Sequence, residues 1–103
     1  MAVLPDETPA MMKLLSFSCS PNPFNGTGAI EFSLAQSDNI ELDIFDIAGQ
    51  RVVKLASGPH DKGTHLYNWD GYWANSSVAA SGVYFCRIIG SSFTRTIKIS
   101  FVK

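Results

Sequence analysis

The sequence predicts an all-β sandwich of about seven antiparallel strands, and three observations carry that prediction. Apolar and polar residues alternate with period two in run after run, the pattern of a strand with one buried face. Turn signals recur every 8–12 residues or so, the spacing of sandwich folds. No segment combines a sustained helical period with caps, so no helix is expected.

The runs follow in order. Leu15, Phe17 and Cys19 alternate with Ser16, Ser18 and Ser20. Ile30, Phe32 and Leu34 alternate with Glu31 and Ser33, and Ile40, Leu42 and Ile44 with Glu41 and Asp43. A shorter run covers Arg51 to Ala56. His65, Tyr67 and Trp69 alternate with Leu66 and Asn68. Val83 to Ile89 is rich in β-branched and aromatic residues, and Ile97, Ile99 and Phe101 alternate with Lys98, Ser100 and Val102. Ala48-Gly49-Gln50 is a tight hairpin turn in which Gly49 is free to take positive φ. Ser57-Gly58-Pro59 opens a polar loop that ends at Gly63, and Gly90-Ser91-Ser92 joins the last two strands. One solvated sheet face puts Glu31, Glu41, Asp43 and Lys98 outward. Arg95, Lys98 and Lys103 discourage edge-to-edge pairing of the last strand.

Composition narrows the function. At 103 residues and 46% apolar, the chain is one domain with a core of its own. The net charge of −1 and the absence of a basic stripe argue against nucleic-acid binding. The longest uncharged stretch, Gly71 to Cys86, is too rich in Ser, Asn and Gly to span a bilayer. Residues 1–14, with Pro5, Asp6, Glu7 and Pro9, read as a linker cut from a longer protein and given a start codon, not as a signal peptide. The sandwich is assigned to residues 15–103. Cys19 and Cys86 are expected on core-facing positions, as free thiols in preference to a disulfide.

Catalytic constellations are not evident, and the chain is not expected to be an enzyme. No G-x-S-x-G elbow occurs. His60 is expected in a polar loop beside Asp61, and His65 in a strand near Tyr67, both in structural roles. Glu41 and Asp43 share one strand face, whereas paired-acid chemistry needs carboxylates opposed across a cleft. Asp61 and Asp70 lack the spacing of a calcium loop, and no third ligand joins the cysteines for zinc, so neither metal nor cofactor is expected. The sequons Asn25-Gly26-Thr27 and Asn75-Ser76-Ser77 carry little weight.

Ser20-Pro21-Asn22-Pro23-Phe24-Asn25-Gly26 is a stiff corner. Each proline fixes φ, removes a donor and extends the residue before it. It is the first of four landmarks in order. The others are Leu42-Asp43-Ile44-Phe45-Asp46-Ile47-Ala48-Gly49-Gln50-Arg51-Val52, then Gly63-Thr64-His65 leading to Trp69-Asp70-Gly71, then Ala80-Ser81-Gly82-Val83-Tyr84-Phe85. Over residues 15–103 this succession resembles the C-terminal sorting domain of proteins exported by the type IX secretion system. It is also similar to the immunoglobulin-like domain of the flagellar hook-capping protein.

The resemblance implies an immunoglobulin-like sandwich that directs a cargo, N-terminal to it in the native protein, through the type IX export machinery. It implies a secreted or outer-membrane surface location in a Bacteroidetes-type bacterium, with the outer-membrane machinery and a sortase-like enzyme as partners. As scaffold residues it implies Pro21, Asn22, Pro23 and Phe24 at the corner, Gly49 in the hairpin turn and Gly63 at a strand start. Trp69 would plug the core, Asp70 and Gly71 would turn the chain, and Gly82 would let Tyr84 enter the sandwich. The candidate recognition surface is Lys98 and Lys103 on the last strand. Tyr72 and Trp73 join it as candidates, because they depart from the polar residues and glycine the family carries after Trp-Asp-Gly; they either fold back or form a contact patch. Two rival readings are a structural assembly module like the hook-capping domain and an accessory carbohydrate- or protein-binding module of a secreted hydrolase. An exposed edge strand would also suit a homodimer.

Overall fold

The computed structural model describes residues 13–103. The elements are β1 (Leu14–Ser20), β2 (Phe24–Asn25), β3 (Gly28–Leu34), β4 (Asp38–Phe45), β5 (Arg51–His60), β6 (Gly63–Trp69), β7 (Gly82–Ile89) and β8 (Thr94–Val102). They form a three-stranded sheet, β1-β3-β6, and a five-stranded sheet, β2-β8-β7-β4-β5. The pairs are antiparallel except β2 with β8, which run parallel. The linker expected over residues 1–14 lies outside the described residues, apart from Lys13 and Leu14; Leu14 already belongs to β1.

The inner faces are the ones that period two selects. Ile30, Phe32 and Leu34 of β3 face Ile40, Leu42 and Ile44 of β4, Cys86 and Ile88 of β7 and Ile99 of β8, all buried. Burying each large aliphatic or aromatic side chain contributes about 1.5–3 kcal/mol, so this double layer supplies most of the driving force. At one end of the sandwich the filling becomes aromatic. Phe24, Trp69, Tyr84 and Phe101 pack with ring centroids 5.1–6.4 Å apart.

Five expectations need correction. There are eight strands, because β2 is a two-residue pairing with Phe101 and Val102, too short to show a period. In β1 the buried residues are Leu14 and Phe17, and Leu15 is 63% exposed. A register shift between Leu14 and Ser16 inserts one residue and resets the alternation. Ser57, Gly58 and Pro59 are not a loop, since β5 continues to His60. Pro59 is tolerated there because β5 is an edge strand. Asp43 lies on the outward face as its parity requires, yet is only 2% exposed, because the long basic side chains of Arg51 and Lys54 on β5 reach over it. Finally, β8 is not a free edge, since β2 and Asn22 occupy its outer side towards the C-terminus.

Candidate functional site

The corner is more than a bend. Both Ser20-Pro21 and Asn22-Pro23 are cis, and Pro21, Asn22 and Pro23 are exposed. The Asn22 amide reaches β8. Its Nδ2–H donates to the Lys98 carbonyl at 3.1 Å, and its Oδ1 accepts from the Ser100 N–H at 3.0 Å. One side chain thus satisfies a donor and an acceptor as a neighbouring strand would, and β2 continues the pairing at Phe101 and Val102. Phe24 then enters the core at 1% exposure, 5.1 Å from Phe101. The Asn22→Ala variant is expected to lose about 1 kcal/mol, the net value of exposed hydrogen bonds. Urea unfolding measures that loss, and faster amide exchange at Ser100 locates it.

The remaining landmarks converge on the same end, except Gly63, which starts β6 at the opposite end. Gly63 opens β6 and Gly82 opens β7. Trp69 closes β6, and its indole N–H donates to the Tyr72 carbonyl at 2.9 Å. Asp70 Oδ1 accepts from the Tyr72 N–H at 3.2 Å, and Gly71 packs its backbone against the Phe101 ring at φ +79°. The Tyr84 hydroxyl donates to the Ala80 carbonyl at 2.7 Å. Burial, reinforced by the Asp46 carboxylate, raises the Tyr84 phenol above its ordinary value and keeps it a donor. Asp46 itself organises the β4–β5 turn. Its Oδ1 accepts from Ala48 and Gln50 N–H, and Gly49 takes φ +85°. Gly28 was not singled out by its sequence. It faces Phe24, and a Cβ there would stand 2.9 Å from the ring.

Tyr72 and Trp73 separate. Trp73 folds back, half-buried against the core, while Tyr72 is 44% exposed and bridges to Val78. The two rings therefore do not form one exposed aromatic platform. Lys98 and Lys103 are both exposed, and the Lys103 N–H donates to Ser81 Oγ at 2.9 Å.

Other polar groups are tied into the scaffold. His60 ends β5 instead of lying in a loop. A carbonyl can only accept, so the His60 Nδ1–H donates to Gly58 O at 2.9 Å and Nε2 accepts from the Tyr67 hydroxyl at 2.6 Å. The His65 Nε2–H donates to the Asp61 carbonyl at 2.7 Å. Cys19 is half-buried and Cys86 buried, both free, and burial raises both thiols above their ordinary range. Among the described residues no cluster of three His, Cys, Asp or Glu side chains assembles for a metal.

On the outer face of the five-stranded sheet, Lys54 Nζ lies 2.7 Å from Glu41 Oε1 and 3.1 Å from Asp43 Oδ1, and Arg51 is 3.7 Å from Asp43. The hydrogen bond from Lys54 holds the Glu41 carboxyl below its ordinary value, and the same bond raises Lys54. A lowered carboxylate stabilises the fold above its unfolded value and loses that contribution as pH falls through the folded one. Thermal melts of the wild type and Glu41→Gln are therefore expected to differ at neutral pH and to converge below the carboxylate range. A constant gap would refute the linkage.

The profile of the FlgD Ig-like domain matches residues 20–91. The chain belongs to this family. The FlgD Ig-like match begins at the corner and ends in the β7–β8 turn, so it takes in every landmark and leaves β8 outside. A buried tyrosine two residues before a buried cysteine, its hydroxyl bonded to a backbone carbonyl just upstream, is an immunoglobulin-sandwich arrangement that this member retains in Tyr84 and Cys86. No curated protein matches the chain in sequence.

Two solved structures share its fold. One is PorZ, an essential surface component of the type IX secretion system of Porphyromonas gingivalis, with TM-score 0.58 and 19% identity over 85% of this chain. The other is dimeric latent PorU of the same organism, with TM-score 0.62 and 17% identity over 84% of this chain. The chain spans only 12% of the PorZ structure and 9% of the PorU structure.

Proposed function

We propose that the domain is a non-catalytic C-terminal sorting module that directs a cargo through the type IX secretion system and to its attachment at the cell surface. The observation that carries the reading is the union of corner and last strand. The Pro21-Asn22-Pro23-Phe24 motif clamps β8 through the Asn22 amide and through β2, so the motif and the C-terminal strand present one surface containing Lys98 and Lys103. A sandwich shared with PorZ, a surface component of that system, supports the same reading. Its partners in this proposal are the outer-membrane export machinery and a sortase-like enzyme, with a cargo region ahead of the domain. The location is the outside of a Bacteroidetes-type cell.

The test is export of a reporter. Fused ahead of this chain in a type IX-competent bacterium, the reporter is expected in the medium or on the surface, and deletion of Ile97 to Lys103 is expected to retain it inside. Because that deletion also removes most of β8, a Lys98→Glu, Lys103→Glu variant separates recognition from folding: it melts like the parent but exports poorly. An intact fusion that stays inside the cell sinks the proposal.

A further inference from the structure

The outer face of the five-stranded sheet carries an arrangement that the fold does not need. Arg51, Phe45, Phe85 and Lys98 lie side by side on β5, β4, β7 and β8. In the next row stand Lys54, Asp43, Arg87 and Thr96. Phe45 and Phe85 are half-buried although, among the described residues, no second layer lies over them. The Arg87 guanidinium stacks 4.5 Å above the Phe45 ring, and its Nε is buried without a hydrogen-bond partner.

Among the described residues, Lys54 and Arg51 are paired to Glu41 and Asp43, whereas Arg87 and Lys98 form no ion pair. Four cations against two carboxylates leave this face at about +2 on a chain whose net charge is −1. Among the described residues the opposite outer face, by contrast, carries Ser16, Ser18, Ser33, Thr64 and the exposed Leu66 around Glu31.

We propose that this face docks an acidic polypeptide segment, with carboxylates seated on Arg87 and Lys98 and apolar side chains on Phe45 and Phe85. A guanidinium stacked on an aromatic ring is held flat and presents its fork to a carboxylate. Neighbouring strands are roughly 4.8 Å apart, so Phe45, Phe85 and Lys98 succeed one another across the sheet over about 10 Å, the reach of a few residues of extended chain. A uniform polyanion fits less well, because Glu41 and Asp43 stand within the cationic rows and repel it. The inference does not depend on the export reading, since it concerns what this face binds whatever the domain delivers.

The probe is a synthetic peptide with Glu, Leu, Leu and Glu at every second position and Ser between them (the Glu-Leu peptide), so that all four share one face of the extended chain. It is titrated into the isotope-labelled domain, with the same peptide carrying Gln for Glu (the Gln-Leu peptide) and dextran sulfate as controls. The Glu-Leu peptide is expected to shift the amides of Phe45, Phe85, Arg87 and Lys98, to bind more weakly as salt rises, and to lose at least about tenfold in affinity in Arg87→Gln. Lys98→Glu, at an exposed position that leaves the melt unchanged, is expected to weaken binding similarly. Equal binding of the Gln-Leu peptide overturns the proposal, as do shifts confined to other faces. Tighter binding of dextran sulfate at this face overturns it in favour of an anionic polysaccharide, and self-association through this face without peptide overturns it in favour of a second copy.

Discussion

Trp69→Ala is expected to cost the domain about 4 kcal/mol, within the range for emptying a large aromatic site. Trp69 is 2% exposed and touches three aromatic rings, Phe24 and Phe101 at 5.6 Å and Tyr84 at 5.1 Å. Those rings come from β2, β8 and β7, so no single shift of backbone can close the space. The indole N–H also fixes the Tyr72 carbonyl, and with it the chain that carries Ala79 into the core. A domain of this size has roughly 5–15 kcal/mol in all, so the variant should unfold at far lower urea and lose its near-ultraviolet dichroism. Trp69→Phe keeps a ring and loses the donor, and is expected to fall between the two. A loss below about 1 kcal/mol for the alanine variant would mean that the aromatic end repacks freely around the missing indole.

Gly71→Ala is expected to cost about 3 kcal/mol from two separable causes. At φ +79° an L side chain is strained by about 1 kcal/mol. The added Cβ would also stand 2.5 Å from Phe101 Cζ and 2.8 Å from Cε1, an overlap with a buried ring that costs typically 1–3 kcal/mol. Gly49→Ala separates the causes. It shares the positive φ, at +85°, but nothing lies within 4 Å of its Cβ, so only the backbone strain should appear. Phe101→Leu placed in the Gly71→Ala background should restore part of the loss, a non-additivity that a double-mutant cycle reads directly. Equal losses at Gly49 and Gly71 would refute the steric cause.

The core was legible where alternation was unbroken. Ile30, Phe32 and Leu34, or Ile40, Leu42 and Ile44, fall inward as period two requires, because nothing interrupts the pleat between them. One inserted residue between Leu14 and Ser16 was enough to exchange Leu15 for Leu14. Asp43 was read correctly for direction and wrongly for exposure. Parity says which face a side chain takes, but not that Lys54 and Arg51 will reach over it. Gly58-Pro59 looked like a loop because edge position, which makes proline harmless, is a property of the whole sheet. The landmarks pointed to two related families, of which the FlgD Ig-like domain is the one that matches. That Pro21-Asn22-Pro23-Phe24 grips the last strand could not be read from spacing, since the hydrogen bonds join residues 76 and 78 positions apart. The split between Tyr72 and Trp73 was hidden for a similar reason: it depends on Ala74 docking to Val52, at the start of β5.

The grip of Asn22 on β8 also sets the order in which the molecule can close. The hairpins β4–β5 and β7–β8 need only local chain, but the aromatic end needs residues 22–25 and the last nine-residue strand together. Its loop-closure entropy is that of nearly the whole domain and falls due at the last step. Long-range pairing of this kind belongs to slow-folding β-proteins. Until β8 arrives, Asn22 and β2 have no strand to grip and Phe24, Trp69 and Tyr84 lack the Phe101 ring, so that strand acts as the latch on the aromatic end.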